Sequence, residues 1–300
     1  MKGDLLRKTA YAAVSLAVLT SCGTRVRLVE NDSSISYSYS KIKEMAGNKI
    51  AKELSDDVFE LDISIKEGES FPNRYIIENF NAVMQRPELP TGCEVTALCE
   101  DLNYLGFDID KVTLSDEFMP MDNNGIYTMR EAYIGDPKVE EGFGCSAPVI
   151  VQTADDYFES IQSPCYALDL TGISLKEVLY QVAQGRPVIV WSTIDLIETA
   201  ANYVWTTYDG EEMWFNDFQH CVVVYGYDID QNTVCIADPL SGNINCDMQR
   251  FTEVYDLMGK QAVLICGDSQ TKGKFVPRED KPQSPVLSRN KAERQAAVEQ

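Results

Sequence analysis

The chain has 300 residues, of which 44% are hydrophobic and 24% charged, the composition of a globular protein and not of a disordered or membrane-spanning one. This length is sufficient for one sizeable domain with extensions. The formal net charge of −21 repels phosphate backbones, so no nucleic-acid partner is expected. We interpret the charge as an acidic surface that keeps the protein in solution; a cationic partner is the alternative.

The first 22 residues have the pattern of an export signal. Basic residues precede a short apolar run from Thr9 to Leu19, and small residues follow it. Cys22 comes directly after Leu-Thr-Ser, which resembles the lipobox of bacterial lipoproteins, in which the cysteine is lipidated and becomes the mature N terminus. We therefore predict a lipoprotein signal peptide at 1–22, lipidation of Cys22, and an extracytoplasmic protein attached to the bacterial cell membrane. A plain signal peptide and an unprocessed anchor are the alternatives.

Residues 23–75 are predicted to be an N-terminal extension to a domain at 76–268. Apolar residues recur at helical spacing between 42 and 54, and apolar and polar residues alternate from Phe59 to Lys66, which predicts a half-buried strand. Residues 269–300 are rich in Lys, Arg, Pro, Ser and Gln and poor in apolar residues. This composition predicts a disordered tail.

The stretch TGCEVTALCEDLNYLG predicts a helix with a cysteine at its start. Thr91 and Glu94 form a Thr-x-x-Glu capping box, in which each side chain pairs with a backbone N–H of the first turn. Apolar residues follow from Val95 at spacings of three and four, and Gly106 ends the helix. Cys93 thus lies in the first turn, where N–H groups are unpaired and the helix dipole is positive. With a neighbouring imidazolium, this position is expected to lower the pKa of the thiol.

A nucleophilic thiol needs a base, and His220 is the only histidine of the chain. It directly precedes an apolar run, Cys221–Tyr225, that predicts a buried strand, and a second predicted strand, Thr233–Ala237, ends at Asp238. Because a short polar turn joins the two strands, antiparallel pairing would bring His220 and Asp238 to the same end of a sheet. Taken alone, a single histidine is more often structural, and an Asp-Pro pair is also typical of a turn.

A cysteine at a helix start, followed by a histidine and an aspartate on strands, is the papain-type order. From Ile76 to Ile265 the chain resembles the cysteine peptidase family 39-like domains, relatives of bacteriocin-processing peptidases. Five motifs occur in the family's order: QRPELPTGCEVTALCEDLNYLG, GDPKVEEGFGCSAPVIV, GRPVIVW, HCVVVYGYD and IADPLSG. The resemblance implies an α+β, papain-like fold, with the nucleophile at the N terminus of a helix that packs on an antiparallel sheet.

The resemblance also implies a role for each matching residue. Cys93 is expected to be the nucleophile, His220 the base and then the acid, and Asp238 the group that orients the imidazole. Gln85 matches the family's oxyanion donor, a side-chain amide that acts together with the Cys93 backbone N–H. The implied activity is hydrolysis of a peptide or amide bond through an acyl-enzyme, with no cofactor, at the outer face of the cell membrane.

The nine cysteines are interpreted mainly as buried free thiols. Complete pairing is impossible, because Cys22 would be lipidated and Cys93 must stay free, which leaves an odd number. An oxidising compartment would favour a bridge between Cys235 and Cys246 across a hairpin. Cys145 is interpreted as part of the pocket wall. No Cys-x-x-Cys pair occurs and the single histidine is already assigned, so no metal site is expected.

Two other classes of function stay open on the sequence. The same triad would serve an acyl or aminoacyl transferase, in which an amine or thiol takes the place of water. The other class is a lipid-anchored binding protein with an inert cleft. Trp205 and Trp214, which precede His220, form either an aromatic rim to the cleft or a hairpin that packs on the sheet.

Overall fold

The computed structural model describes residues 58–63, 70–207 and 210–278, and two short antiparallel strands nearer the N terminus, β1 (Leu28–Glu30) and β2 (Ser33–Ile35). The predicted signal peptide with Cys22 and the helical pattern between 42 and 54 lie outside the described residues, as does the predicted tail beyond 278. Within the described ranges, no helix combines the length and the apolar character needed to cross a membrane.

The other elements belong to a mixed arrangement of helices and strands. In chain order they are β3 (Arg74–Ile76), α1 (Cys93–Tyr104), α2 (Lys111–Thr113), a π-helical turn (Leu114–Phe118), β4 (Met121–Asp122), β5 (Tyr133–Ile134), α3 (Ala147–Ser160), β6 (Tyr166–Asp169), α4 (Leu175–Ala183), β7 (Val188–Thr193), a 3₁₀ turn (Ile194–Leu196), β8 (Ala201–Thr206), β9 (Glu212–Asn216), β10 (Gln219–Asp228), β11 (Thr233–Asp238), β12 (Gly242–Asp247), α5 (Met248–Leu257) and β13 (Ala262–Cys266).

Seven of these strands form one antiparallel sheet, which is the scaffold of the domain. Its order is β12-β11-β10-β7-β13-β6, and β3 also pairs with β10. The inner strands β7 and β13 are buried along their whole length. Their sequences, VIVWST and AVLIC, are largely apolar and do not alternate with polar residues, as expected for strands that are covered on both faces. The α+β class and the antiparallel sheet are as predicted.

Helix α1 packs against β10 of this sheet. Ten of its twelve residues are buried, and its predicted apolar residues Val95, Leu98 and Leu102 have no exposed surface. The helix ends near Gly106, whose φ of +86° is the left-handed conformation that favours glycine after a helix. The helix and its C-terminal stop are therefore as predicted.

The predicted capping box is wrong. The residue that caps α1 is Gly92, and no side chain caps the helix. Thr91 Oγ1 instead donates a hydrogen bond to the carbonyl of Val139 at 2.9 Å, and the Glu94 carboxyl contacts Cys145, 51 residues further along the chain. Contacts that are distant in sequence have replaced the local motif.

The predicted strand after Phe59 does not form over 58–63, the part of it that the structure describes. The segment is extended, and its backbone bonds to side chains: Leu61 N–H donates to the Tyr166 hydroxyl at 3.0 Å and Gln181 Nε2 donates to the Ile63 carbonyl at 3.0 Å. The odd-numbered apolar residues still pack on the core, so the alternation was a correct signal of burial.

The described start of the predicted tail also contacts the domain. Ser269 N–H donates to the carbonyl of Leu105 at 3.0 Å, and the Arg278 guanidinium pairs with the Asp155 carboxylate at 3.0 Å, where both side chains are largely buried. Residues 269–278 are thus held on the surface of the domain.

Candidate active site

Cys93 is the first residue of α1, and its side chain is 6% exposed. Its N–H is at a position that has no acceptor within the helix. The backbone N–H of Cys221 lies close enough to the sulfur to favour its thiolate, and Cys221 directly follows His220 on β10. The helix start therefore places the predicted nucleophile beside the strand segment that carries the predicted base.

The structure brings His220 and Asp238 together as predicted. On the paired strands, Val223 lies opposite Ala237, so the next residues towards the site are Val222 and Asp238. His220 lies two residues further along β10, which places it on the same face of the strand as Val222. Its Nε2 is 2.7 Å from Asp238 Oδ1, and both side chains are buried.

The surroundings of Asp238 keep it ionised. Burial by itself would raise the pKa of this carboxyl, but hydrogen bonds from His220, Leu240 and Ser241, together with the His220 charge, lower the pKa overall. The Leu240 and Ser241 N–H groups donate at 2.7 Å and 3.3 Å. An ionised Asp238 is an acceptor only, so His220 Nε2 is the donor of this hydrogen bond. In the neutral tautomer with its proton on Nε2, Nδ1 carries the lone pair.

Gln85 lies between the end of β11 and the start of α1. Its backbone N–H donates to the Pro239 carbonyl at 2.8 Å, and its side-chain Nε2 donates to the Pro90 carbonyl at 2.6 Å. The side chain is buried, and Oε1 has no hydrogen-bond partner in the described part of the chain. One hydrogen of Nε2 is thus engaged near the helix start, and the amide has a second hydrogen to donate.

The predicted lowering of the Cys93 pKa is wrong for this structure. Burial raises the pKa of the thiol well above its usual value, and the negative charge of Glu94 raises it further. Hydrogen bonds from the backbone N–H groups of Cys221 and Cys93 act in the opposite direction but do not offset the burial. The sequence argument considered the helix start and the imidazole and did not include the loss of solvent around the sulfur.

Glu94 belongs to this group of residues, and the sequence analysis assigned it only to the helix cap. The Cys93 thiol donates a hydrogen bond to Glu94 Oε2, with 3.3 Å between sulfur and oxygen. The other oxygen accepts from the Cys145 backbone N–H at 3.0 Å and from Gln219 Nε2 at 3.4 Å. The sequence did contain a signal for this role, because Glu94 directly follows the predicted nucleophile. The Thr-x-x-Glu pattern instead favoured a role for Glu94 in the helix cap.

The remaining cysteines of the described chain are free thiols. Cys246 lies opposite Val234 in the β11–β12 pairing, so Cys235 and Cys246 point to opposite faces of the sheet and do not form the alternative bridge. Cys145 is fully buried, and it meets the site through its backbone N–H. Among the described residues, no group of His, Cys, Asp and Glu side chains could hold a metal ion.

The two tryptophans lie on a hairpin, β8–β9, that is separate from the main sheet. Trp205 and Phe215 each pack edge-on against the ring of Phe143, with 5.3 Å between ring centroids in both pairs. Tyr203 and Trp214 form an exposed pair on the other face, with centroids 5.9 Å apart. The hairpin therefore packs on the segment before α3, where Trp205 and Phe215 contact the cluster that includes Met129, Ala132 and Ile134.

A helix that holds a cysteine in its first turn, next to an antiparallel sheet with a buried His–Asp pair, defines a papain-like protein. The model of the Peptidase_C39 like family matches residues 77–263, and the chain belongs to this family. The match agrees closely with the range of the predicted resemblance.

Two similar proteins come from Bacillus. The uncharacterized protein YvpB of Bacillus subtilis (strain 168) is 33% identical over 188 residues, which are 61% of this chain and 72% of that protein. A crystal structure described as that of a C39-like peptidase from Bacillus anthracis is 30% identical, covers 66% of this chain and 99% of its own, and superposes with a TM-score of 0.57. These likenesses confirm the predicted papain-like fold.

Proposed function

We propose that the protein is a cysteine peptidase that hydrolyses peptide or amide bonds with Cys93, His220 and Asp238, assisted by Gln85. One observation carries the proposal: the Cys93 sulfur lies beside the backbone of Cys221, the neighbour of a histidine whose Nε2 is 2.7 Å from a buried aspartate. This neighbourhood supports the assignment of Cys93 as nucleophile, His220 as base and Asp238 as orienting group.

The first half of the reaction forms a thioester. Asp238 accepts the Nε2–H of His220, so Nδ1 takes the proton of the Cys93 thiol. The sulfur attacks the substrate carbonyl carbon, and the negative charge that develops on the carbonyl oxygen is stabilised by the Cys93 N–H and the second Nε2 hydrogen of Gln85. The C–N bond then breaks, and the imidazolium returns its proton to the leaving amine.

The second half consumes water. His220 Nδ1 takes a proton from water, the resulting hydroxide attacks the thioester carbon, and the C–S bond breaks. The sulfur leaves as thiolate and recovers the proton from the imidazolium, which restores the resting site. The same two donors stabilise the oxyanion in both halves.

The site of action in this proposal is the outer face of the cell membrane, and the membrane is a partner through a lipid on Cys22. The support is the Leu-Thr-Ser-Cys pattern after the apolar run at the N terminus. Mass spectrometry of the protein from a membrane fraction should find a diacylated Cys22 at the N terminus. An unmodified Met1 or Cys22 terminus would contradict the anchor and would leave the peptidase proposal unchanged.

Cleavage of a peptide library by the purified protein tests the activity. The wild-type protein should release products that Cys93→Ala does not. Cys99→Ala is a matched control, because Cys99 is a buried cysteine of the same helix whose thiol bonds to the Ile109 carbonyl and not to the site. Cleavage that persists in Cys93→Ala, or that disappears equally in Cys99→Ala, would contradict the proposal.

A second candidate is a binding protein with an inert cleft. The observation in its favour is the deep burial of Cys93, which raises the pKa of its thiol. Alkylation with iodoacetamide at neutral pH separates the two candidates. Preferential labelling of Cys93 over the other cysteines favours the peptidase, and uniformly slow labelling favours the binding protein.

A further inference from the structure

Glu94 is a buried carboxyl that touches the sulfur of the proposed nucleophile. Its side chain is 1% exposed, and its two oxygens join three parts of the fold: Cys93 on α1, the Cys145 N–H in the loop before α3, and Gln219 at the start of β10. Every oxygen of this carboxyl therefore has a partner, and one partner is the atom that would attack the substrate.

The backbone at Gly144 packs closely against the Glu94 carboxyl. Gly144 has a φ of +119°, and a Cβ built there would lie 2.4 Å from Glu94 Oε1 and 3.1 Å from Gln219 Nε2. Any larger residue at 144 would displace the carboxyl or the amide. The glycine thus permits the close approach of the loop to Glu94.

Among the described residues, no cation compensates a negative charge on Glu94 by an ion pair. The titratable groups that interact with Glu94 are three thiols and a phenol: Cys93 on its own helix, Tyr133 on β5, Cys145 in the loop and Cys221 on β10. Burial raises the pKa of Glu94, although hydrogen bonds from Cys145, its own N–H, Cys93 and Gln219 counteract part of the rise.

Two acidic groups in contact in a buried site cannot readily both be ionised. An ionised Glu94 opposes formation of the thiolate, as its effect on the pKa of Cys93 shows. A neutral Glu94 has a hydroxyl hydrogen to donate to the sulfur, and this donor stabilises the thiolate. The protonation state of Glu94 thus decides whether the contact hinders or assists the nucleophile.

We propose that Glu94 is a further catalytic residue, whose neutral carboxyl donates a hydrogen bond to the Cys93 thiolate while its other oxygen holds Cys145 and Gln219. The inference rests on the proposed function. The thiol proton of Cys93 still passes to Nδ1 of His220, and Glu94 keeps its own proton throughout both halves of the reaction. The carboxyl forms and breaks no covalent bond.

The test is the pH dependence of Cys93 alkylation by iodoacetamide, in the full chain, for wild type and Glu94→Gln. Glutamine is a permanently neutral donor of nearly the same shape, with an oxygen for Cys145 and Gln219. Below the pH at which Glu94 ionises, the two proteins should react at similar rates. Above it, the wild type should fall behind Glu94→Gln by about tenfold or more, since each unit of thiol pKa corresponds to a factor of ten.

Asp101→Asn is the matched control. Asp101 is a buried acidic residue of the same helix whose pKa burial also raises, but neither of its oxygens has a hydrogen-bond partner among the described residues. This variant should leave the alkylation profile of Cys93 unchanged. The proposal is overturned if the Glu94→Gln profile matches the wild type, if Glu94→Gln makes Cys93 unreactive at every pH, or if Asp101→Asn has the same effect.

A second measurement keeps Glu94 in place, so it tests the proposal even if the Glu94→Gln variant does not fold. The ultraviolet absorbance of the Cys93 thiolate, measured in a His220→Ala background as the difference with and without Cys93→Ser, should titrate over more than one step because the charge of Glu94 changes the pKa of the thiol. A single one-proton curve overturns the proposal. Both measurements need no substrate, so a failure of the peptidase proposal is detected separately, as hydrolysis that survives Cys93→Ala.

Discussion

The two ends of α1 both bury acidic side chains, but their carboxyls meet different partners. At the N-terminal end, both oxygens of Glu94 are bonded, one of them to the Cys93 thiol. Further along the helix, one oxygen of Glu100 and both oxygens of Asp101 have no hydrogen-bond partner among the described residues. Burial raises the pKa of all three carboxyls.

This comparison shows that a raised pKa does not by itself mark a functional site. Perturbed carboxyls collect at active sites, but structural ones occur as well. Contact with a reactive atom distinguishes Glu94, whereas Glu100 and Asp101 lack that contact. We therefore expect the loss of Cys93, of its catalytic partners or of the Glu94 contact to reduce activity, and changes at Asp101 to alter stability.

The largest expected effect is the loss of the nucleophile or the base. Cys93→Ala and His220→Ala should each lower kcat/KM for a cleaved peptide by at least about 10³-fold, because the two groups act in one proton transfer. The double variant should be no worse than either single one. Near-wild-type turnover in His220→Ala would exclude the papain-type mechanism, since the chain has no other histidine.

The next effect is the loss of an oxyanion donor. Gln85→Ala should lower kcat by about 10²–10³-fold, the usual effect of removing one such donor. Gln85→Glu keeps the shape but replaces the donor with an acceptor, so its kcat should fall at least as far. Steady-state kinetics gives both values. If Gln85→Glu turns over normally, the amide does not act on the oxyanion.

A smaller loss of activity is expected from Gly144→Ala, which would push Glu94 away from the sulfur. Because a displacement of about 1 Å in a catalytic group can cost roughly 10²-fold, kcat/KM should fall by up to that factor. Gly172→Ala is the matched control: its φ is also positive, at +103°, but a Cβ there would meet nothing within 4 Å. Equal kinetic losses in both variants would mean that backbone strain alone is responsible.

The smallest effect is on stability, at the distal end of α1. Asp101 has a folded-state pKa above its unfolded value, so the wild type loses stability as the pH rises from the unfolded pKa towards the folded one. Each unit of difference corresponds to about 1.4 kcal/mol. Denaturant unfolding at mildly acidic and at alkaline pH should show that Asp101→Asn loses less stability than wild type over this interval, with unchanged peptidase activity. A pH dependence equal to that of wild type would contradict this.

The sequence predicted the elements of the candidate site because each has a strong local pattern. The predicted strands Cys221–Tyr225 and Thr233–Ala237 lie within β10 and β11, and their short turn was enough to place His220 and Asp238 at one end of the sheet. Helix α1 was recognisable from its apolar spacing and from Gly106.

The wrong predictions share a physical cause, which is that local patterns do not report distant partners. Glu94 fitted a capping box, but its partners lie 51 and 125 residues away. The alternation after Phe59 predicted a strand, whereas the Tyr166 hydroxyl and the Gln181 amide supply the backbone's hydrogen bonds. The pKa of Cys93 depends on how much solvent the assembled fold removes from the sulfur, which no short sequence pattern shows.

The most direct test of the central claim is the detection of the acyl-enzyme. The protein is mixed with a cleaved peptide, quenched with acid during turnover, digested, and analysed by mass spectrometry for a thioester. The account predicts a thioester of the substrate's acyl portion on Cys93, formed and lost at rates that match turnover, and absent from Cys93→Ala. Turnover with no adduct on Cys93 at any quench time while Cys145 or Cys221 is acylated, or hydrolysis by Cys93→Ala at the wild-type rate, would contradict it.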